Sequence, residues 1–294
     1  MRRLFPAVLL VHATTLTAME MDDWLIDDYR PHAMSLYYGT DDNNGSLSGI
    51  TLTTPFINNS SFDVYYTGVN SPLETGGSSR LDQYGLTWLS DTERPFSAGL
   101  GYSFTDRQDV FEIEDWKLLA QYTENSWYLG LSVIQGELKA YTLPDDTVNR
   151  PIWQLIRQRL GSVVSIDRNG IGLTTGLQKQ NWSLRAGLTA YDYSRDLSRI
   201  RERLTQIYFK RGVVDEIFQL TNWEFYADTL YLFDGYSLSF GFNTYELHVE
   251  EEIYNQVSAG IEVPLSDAVS VGALINYTID DSASYGQLSL NLYW

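Results

Sequence analysis

Apolar and polar residues alternate with a period of two along much of this chain, as they do in a strand with two unlike faces. At the C-terminus Leu288, Leu290, Leu292 and Trp294 fall on one side, and Gln287, Ser289, Asn291 and Tyr293 on the other. Upstream, Val269, Val271, Ala273, Ile275 and Tyr277 oppose Ser270, Gly272, Asn276 and Thr278, with Leu274 breaking the second set. Val257, Ala259, Ile261 and Val263 oppose Ser258, Gly260 and Glu262, and Leu238, Phe240 and Phe242 oppose Ser239, Gly241 and Asn243. Phe96 to Phe104 and Trp182 to Leu188 repeat the pattern. A soluble β-sandwich also alternates, but its polar face should carry more charge. Here that face is mostly Gly, Ser and Thr, which suits the crowded inside of a closed barrel.

The alternation predicts strands near 33–40, 47–56, 61–68, 81–90, 95–105, 113–123, 126–136, 170–179, 181–193, 222–233, 236–248, 253–263, 268–279 and 284–294. The fold class is therefore all-β: a transmembrane antiparallel up-and-down barrel of about fourteen strands, with twelve or sixteen also compatible. An even number keeps both termini on one side, and short periplasmic turns should alternate with longer extracellular loops. Asp234-Gly235 carries a strong hairpin signal among the short connections. Residues 137–169 and 194–221 form the two longest of the other set. Ser162 to Ile166 is expected to be a hairpin extension that pairs back across Asp167 to Gly170. Trp88, Phe96, Trp127, Trp182, Trp223, Phe233 and Trp294 lie near strand ends, where interfacial girdles place aromatic rings.

Residues 1–18 read as a signal peptide, with Arg2 and Arg3 ahead of the apolar run Leu4 to Val11 and small residues near Ala18. Residues 19–32 then form a short periplasmic segment, and 33–294 the barrel. Beyond the signal no stretch has the roughly 20 apolar residues of a membrane-spanning helix, so crossing a membrane falls to strands. The chain has no cysteine, which excludes disulfides and thiolate chemistry. Its formal net charge of -18 makes nucleic acid an unsuitable partner.

The final strand, with Leu288, Leu290, Leu292 and Trp294, resembles the C-terminal sorting strand of Gram-negative outer-membrane barrels of the porin-like class. That resemblance implies a bacterial outer-membrane location. It also implies contact with outer-membrane lipid and lipopolysaccharide, and recognition by the barrel-assembly machinery.

Candidate chemistry divides between wall and loops. The phase facing away from lipid carries Asp63, Asp115, Lys117, Arg185, Glu224, Asp228 and Glu262, which serve either as interior ion pairs or as a charged eyelet that selects solutes. Five carboxylates against two cations predict a cation preference. The second long loop holds Arg195, Arg199, Arg201, Arg203, Lys210 and Arg211 around a helical apolar period of Leu197, Ile200, Leu204, Ile207 and Tyr208. In the first, Pro151 can open a short helix. These basic helices either narrow the lumen, bind lipopolysaccharide phosphates, or are solvated decoration.

An enzyme would need more. His248 is followed by Val249 and Glu250, without the His-x-Ser-Asn arrangement of barrel lipases, and is read as a rim residue. Gly170, Gly172 and Gly176 share one strand face and lack the strand-to-helix turn of a phosphate loop. No cofactor motif is present. The reading is a pore or transporter for a small-molecule solute, set against an outer-membrane lipid-modifying enzyme or a structural, surface-interaction barrel.

Overall fold

The computed structural model describes residues 32–41, 45–55, 60–72, 78–90, 95–107, 111–141, 163–194, 221–247, 253–280 and 283–294. Fourteen antiparallel strands close into one barrel in which each strand pairs with its neighbours in sequence and β1 pairs with β14. They are β1 (Ala33–Asp41), β2 (Ser46–Pro55), β3 (Ser61–Pro72), β4 (Ser78–Leu89), β5 (Phe96–Arg107), β6 (Phe111–Glu124), β7 (Trp127–Tyr141), β8 (Val163–Lys179), β9 (Trp182–Tyr193), β10 (Thr221–Phe233), β11 (Tyr236–Leu247), β12 (Ile253–Ser266), β13 (Val269–Thr278) and β14 (Ala283–Tyr293). Closure removes every sheet edge, so the backbone groups of the wall are satisfied without water.

Parity decides which side chains meet lipid. On β13 the odd positions point out and the even ones in, and Ile275 is 63% exposed while Asn276 is 3% exposed. Leu118, Leu131, Leu173, Leu188, Phe240 and Leu288 are outward in the same way. Aromatic pairs frame this apolar band. Tyr66 with Tyr84 and Tyr102 with Trp116 lie toward the extracellular side, at centroid distances of 5.0 and 4.8 Å. Phe96 with Tyr122 and Phe233 with Tyr236 lie toward the periplasmic turns, at 4.7 and 4.6 Å.

Asn125-Ser126, Gln180-Asn181, Asp234-Gly235 and Asp267-Ala268 are tight turns on the periplasmic side. Gly235 has φ 101 and Asn125 φ 50, the left-handed region that these residue types reach most cheaply. On β12, Pro264 lacks the N–H that a ladder needs, and the β12–β13 register slips between Pro264 and Ser266.

One expected element is different. Val163 to Lys179 is a single strand, and its upper part pairs with β7 from Tyr141↔Val163 to Gly136↔Arg168. No hairpin turns at Asp167 to Gly170. The N-terminal segment through residue 31, both basic loop segments and His248 lie outside the described residues.

Candidate functional site

All seven charged positions expected on the wall fall on its inward phase, and several meet. On β6 Asp115 stands opposite Gly136 of β7, which stands opposite Arg168 of β8. Arg168 Nη1 donates to Asp115 Oδ2 at 2.7 Å, bridging across the intervening strand. Only glycine leaves that path clear, because a Cβ at position 136 would overlap Asp115 Oδ1 and the Glu114 carbonyl oxygen. The Arg168 guanidinium also lies 4.0 Å from the ring centre of Tyr191.

A second bridge lies on the next strands. Arg185 of β9 and Asp228 of β10 are direct cross-strand partners, and Arg185 Nε and Nη2 donate to Asp228 Oδ2 at 3.0 and 2.5 Å. Lys117 sits within the fields of Glu224 and Asp115, and Glu224 accepts from Asn243 Nδ2 at 3.2 Å. Six charges on β6, β8, β9 and β10 therefore form one internally compensated belt.

The remaining two stand apart. Glu262 accepts from Ser270 Oγ, from Asn291 Nδ2 at 2.8 Å and from Tyr293 OH at 3.2 Å, while Asn291 Oδ1 accepts from Ser35 Oγ at 2.6 Å. That polar network ties β12, β13, β14 and β1 together across the closure. Asp63 on β3 is buried, 8% exposed.

Two inward cations were missed. Arg168 falls in the expected hairpin tip and Arg107 beyond the expected strand end near residue 105, yet each shares the inward parity of its strand: Arg168 with Gly170, Gly172 and Gly176, Arg107 with Ser103 and Thr105. Extending the phase of either strand would have found them. With both included, Asp63, Asp115, Glu224, Asp228 and Glu262 face Arg107, Lys117, Arg168 and Arg185, and the expected excess of three negative charges falls to one.

The sorting-strand residues behave as the alternation requires, with Leu288, Leu290 and Trp294 67, 37 and 59% exposed on the outer face. Trp294 exchanges backbone hydrogen bonds with His32 at 3.0 and 2.9 Å, and the two rings stack at 5.7 Å. The acidic rim residues cap turns: Asp41 Oδ1 accepts from Gly45 N at 2.6 Å and Asp280 Oδ2 from Asn255 N at 2.7 Å. Among the described residues, no three His, Asp or Glu side chains converge as a metal site.

An apolar outer band between aromatic girdles, a closed antiparallel wall and a polar inner face together define an outer-membrane β-barrel. Solved barrels of bacterial outer membranes share this fold at low identity. A FadL homologue of Pseudomonas aeruginosa is 11% identical with a TM-score of 0.50, covering 91% of this chain and 90% of that one. The anion-selective porin of Comamonas acidovorans is 10% identical with a TM-score of 0.46, covering 90 and 98%. The KdgM porin is 6% identical with a TM-score of 0.45, covering 89 and 99%. No protein-family model and no curated protein matches the sequence.

Proposed function

We propose that this barrel is a passive pore for small hydrophilic solutes with weak charge selectivity. The observation that carries the reading is the inner wall. It is lined by small and neutral polar residues, and four of its charges compensate one another within the wall in the pairs Arg168–Asp115 and Arg185–Asp228. A belt neutralised in this way holds the wall together and presents little net field to a passing ion. Residues 1–18 serve as the export signal, 19–32 as the periplasmic lead-in to β1, and β14 as the strand presented to the assembly machinery. The basic segment from Arg195 to Arg211 meets lipopolysaccharide phosphates or the lumen.

Purified protein in planar lipid bilayers is expected to give discrete KCl current steps, with a reversal potential near zero across a salt gradient. No steps under any condition would refute the pore, and a reversal potential close to the limit for either ion would refute the compensated belt.

A further inference from the structure

The inner wall divides into a charged half and a neutral half. Arg107, Lys117, Arg168 and Arg185 lie on β5, β6, β8 and β9, and β10 adds Glu224 and Asp228. Across β11 to β14 the inward positions carry one charge, Glu262, and three donors already hold it. The conspicuous polar groups of that half are carboxamides. Asn243 on β11 is the register partner of Gln256 on β12, whose partner on β13 is Thr278. One inward position below Thr278 stands Asn276, whose partner on β14 is Tyr285, and one below Tyr285 stands Gln287. The four amides make one patch over four consecutive strands. Tyrosine rings border it. Tyr226, the β10 partner of Asn243, lies across Gly187, where an added Cβ would meet its ring carbons at 2.5 Å. Tyr285 lies across Gly39 in the same way, at 2.4 Å, so both rings run along the wall.

Two of the amides are incompletely bonded. Asn243 Nδ2 donates to Glu224 Oε1 at 3.2 Å, but Asn243 Oδ1 has no hydrogen-bond partner among the described residues, and neither has Asn276 Nδ2. Both side chains point inward, 5 and 3% exposed. A buried polar atom is destabilising until a partner reaches it. Amides that only tie strands together avoid that cost, as Asn291 does: its Oδ1 accepts from Ser35 Oγ, and its Nδ2 donates to Glu262 and to Ser270 Oγ. An unmet acceptor beside an unmet donor fits a partner that can both give and take a hydrogen bond, and a hydroxyl does so. A carboxylate answers only the donor, and an ammonium only the acceptor. Either would also bring a charge to a half-wall whose one ionised group, Glu262, is already engaged.

We propose that Asn243, Gln256, Asn276 and Gln287 form a binding patch for neutral polyhydroxylated solutes, the sugar class, on the lumen side of β11 to β14. This rests on the pore reading and names the solute that the pore takes.

The probes are maltotriose, a neutral trisaccharide; trigalacturonate, an acidic trisaccharide; and polyethylene glycol of matching mass, which fills volume but carries ether acceptors in place of hydroxyls. In planar bilayers maltotriose is expected to interrupt the KCl current in discrete, saturable blocks, and the polyether only to lower it smoothly. Equal blocking by the polyether, stronger blocking by trigalacturonate, or KCl steps with no maltotriose block would overturn the patch. Asn243→Leu and Asn276→Leu each remove one unmet atom at similar side-chain size. Each should raise the half-blocking concentration of maltotriose about tenfold, the loss of one hydrogen bond. Asn276→Leu is the cleaner of the two, since Asn243 also holds Glu224. Thr174→Val, inward on β8 in the charged half, should leave the value unchanged. Wild-type blocking in both leucine variants would overturn the patch, and the comparison of the three probes on wild type decides the matter even for a variant that does not fold. Titration calorimetry of the folded barrel in detergent micelles reads the same site without conductance. Silent bilayers with maltotriose binding that weakens in the leucine variants would sink the pore and leave the patch standing, whereas no maltotriose binding would overturn the patch whatever the bilayers show.

Discussion

Arg168→Ala should destabilise the folded barrel by about 3–5 kcal/mol, because it leaves the buried Asp115 carboxylate without its cation. The side chains of Arg168 and Asp115 are 10% and 15% exposed, so water can replace little of what is lost. Removing Asp115 as well deletes the stranded charge, and the double variant Arg168→Ala with Asp115→Ala should recover most of the loss. Gly136→Val should damage the bridge from a third strand without touching either charged residue, since the new side chain would occupy its path. Urea unfolding from lipid vesicles, followed by the ratio of folded to unfolded bands, reads all three variants against wild type. A single variant within about 1 kcal/mol of wild type, in the range of an exposed ion pair, would show that the belt is not a buried network.

Ile275→Arg and Leu274→Arg should differ sharply although the two residues are adjacent and both aliphatic. Ile275 faces lipid at 63% exposure, and an arginine on the lipid face costs about 2–4 kcal/mol near the bilayer midplane. Leu274 faces the interior, between Gly260 and Gln287 in register, where a long charged side chain can reach water. The expected result is a large loss of folded protein for Ile275→Arg and a change below about 1 kcal/mol for Leu274→Arg, as for an interior substitution. Equal losses would contradict the assigned faces.

Strand number and facing were legible wherever one face of a strand meets hydrocarbon, since lipid enforces a strict parity on Leu288, Leu290 and Leu292 or on Phe96, Ala98 and Leu100. The same rule fails above the bilayer. On β8 the outward residues Ser165 and Asp167 are polar and the inward Ile166 is apolar, so the alternation inverts at about Asn169 and looks like a break between two strands. A hairpin at Asp167 to Gly170 was the natural but wrong reading of that inversion, and it hid Arg168 in a loop. Inward parity located Asp63, Asp115, Lys117, Arg185, Glu224, Asp228 and Glu262. Their pairing was out of reach, because the Arg168–Asp115 bridge depends on a register across three strands that sequence spacing does not encode.

Fractionation with heat-modifiable mobility tests the barrel most directly. Cells expressing the chain are separated into soluble periplasm, inner membrane and outer membrane, and each fraction is run on denaturing gels with and without boiling. A closed barrel in which every backbone group is paired within the wall should resist detergent until heated. The chain is expected in the outer-membrane fraction as a compact unboiled band that shifts to the unfolded mobility on boiling. A soluble periplasmic protein with a single band under both conditions would contradict it.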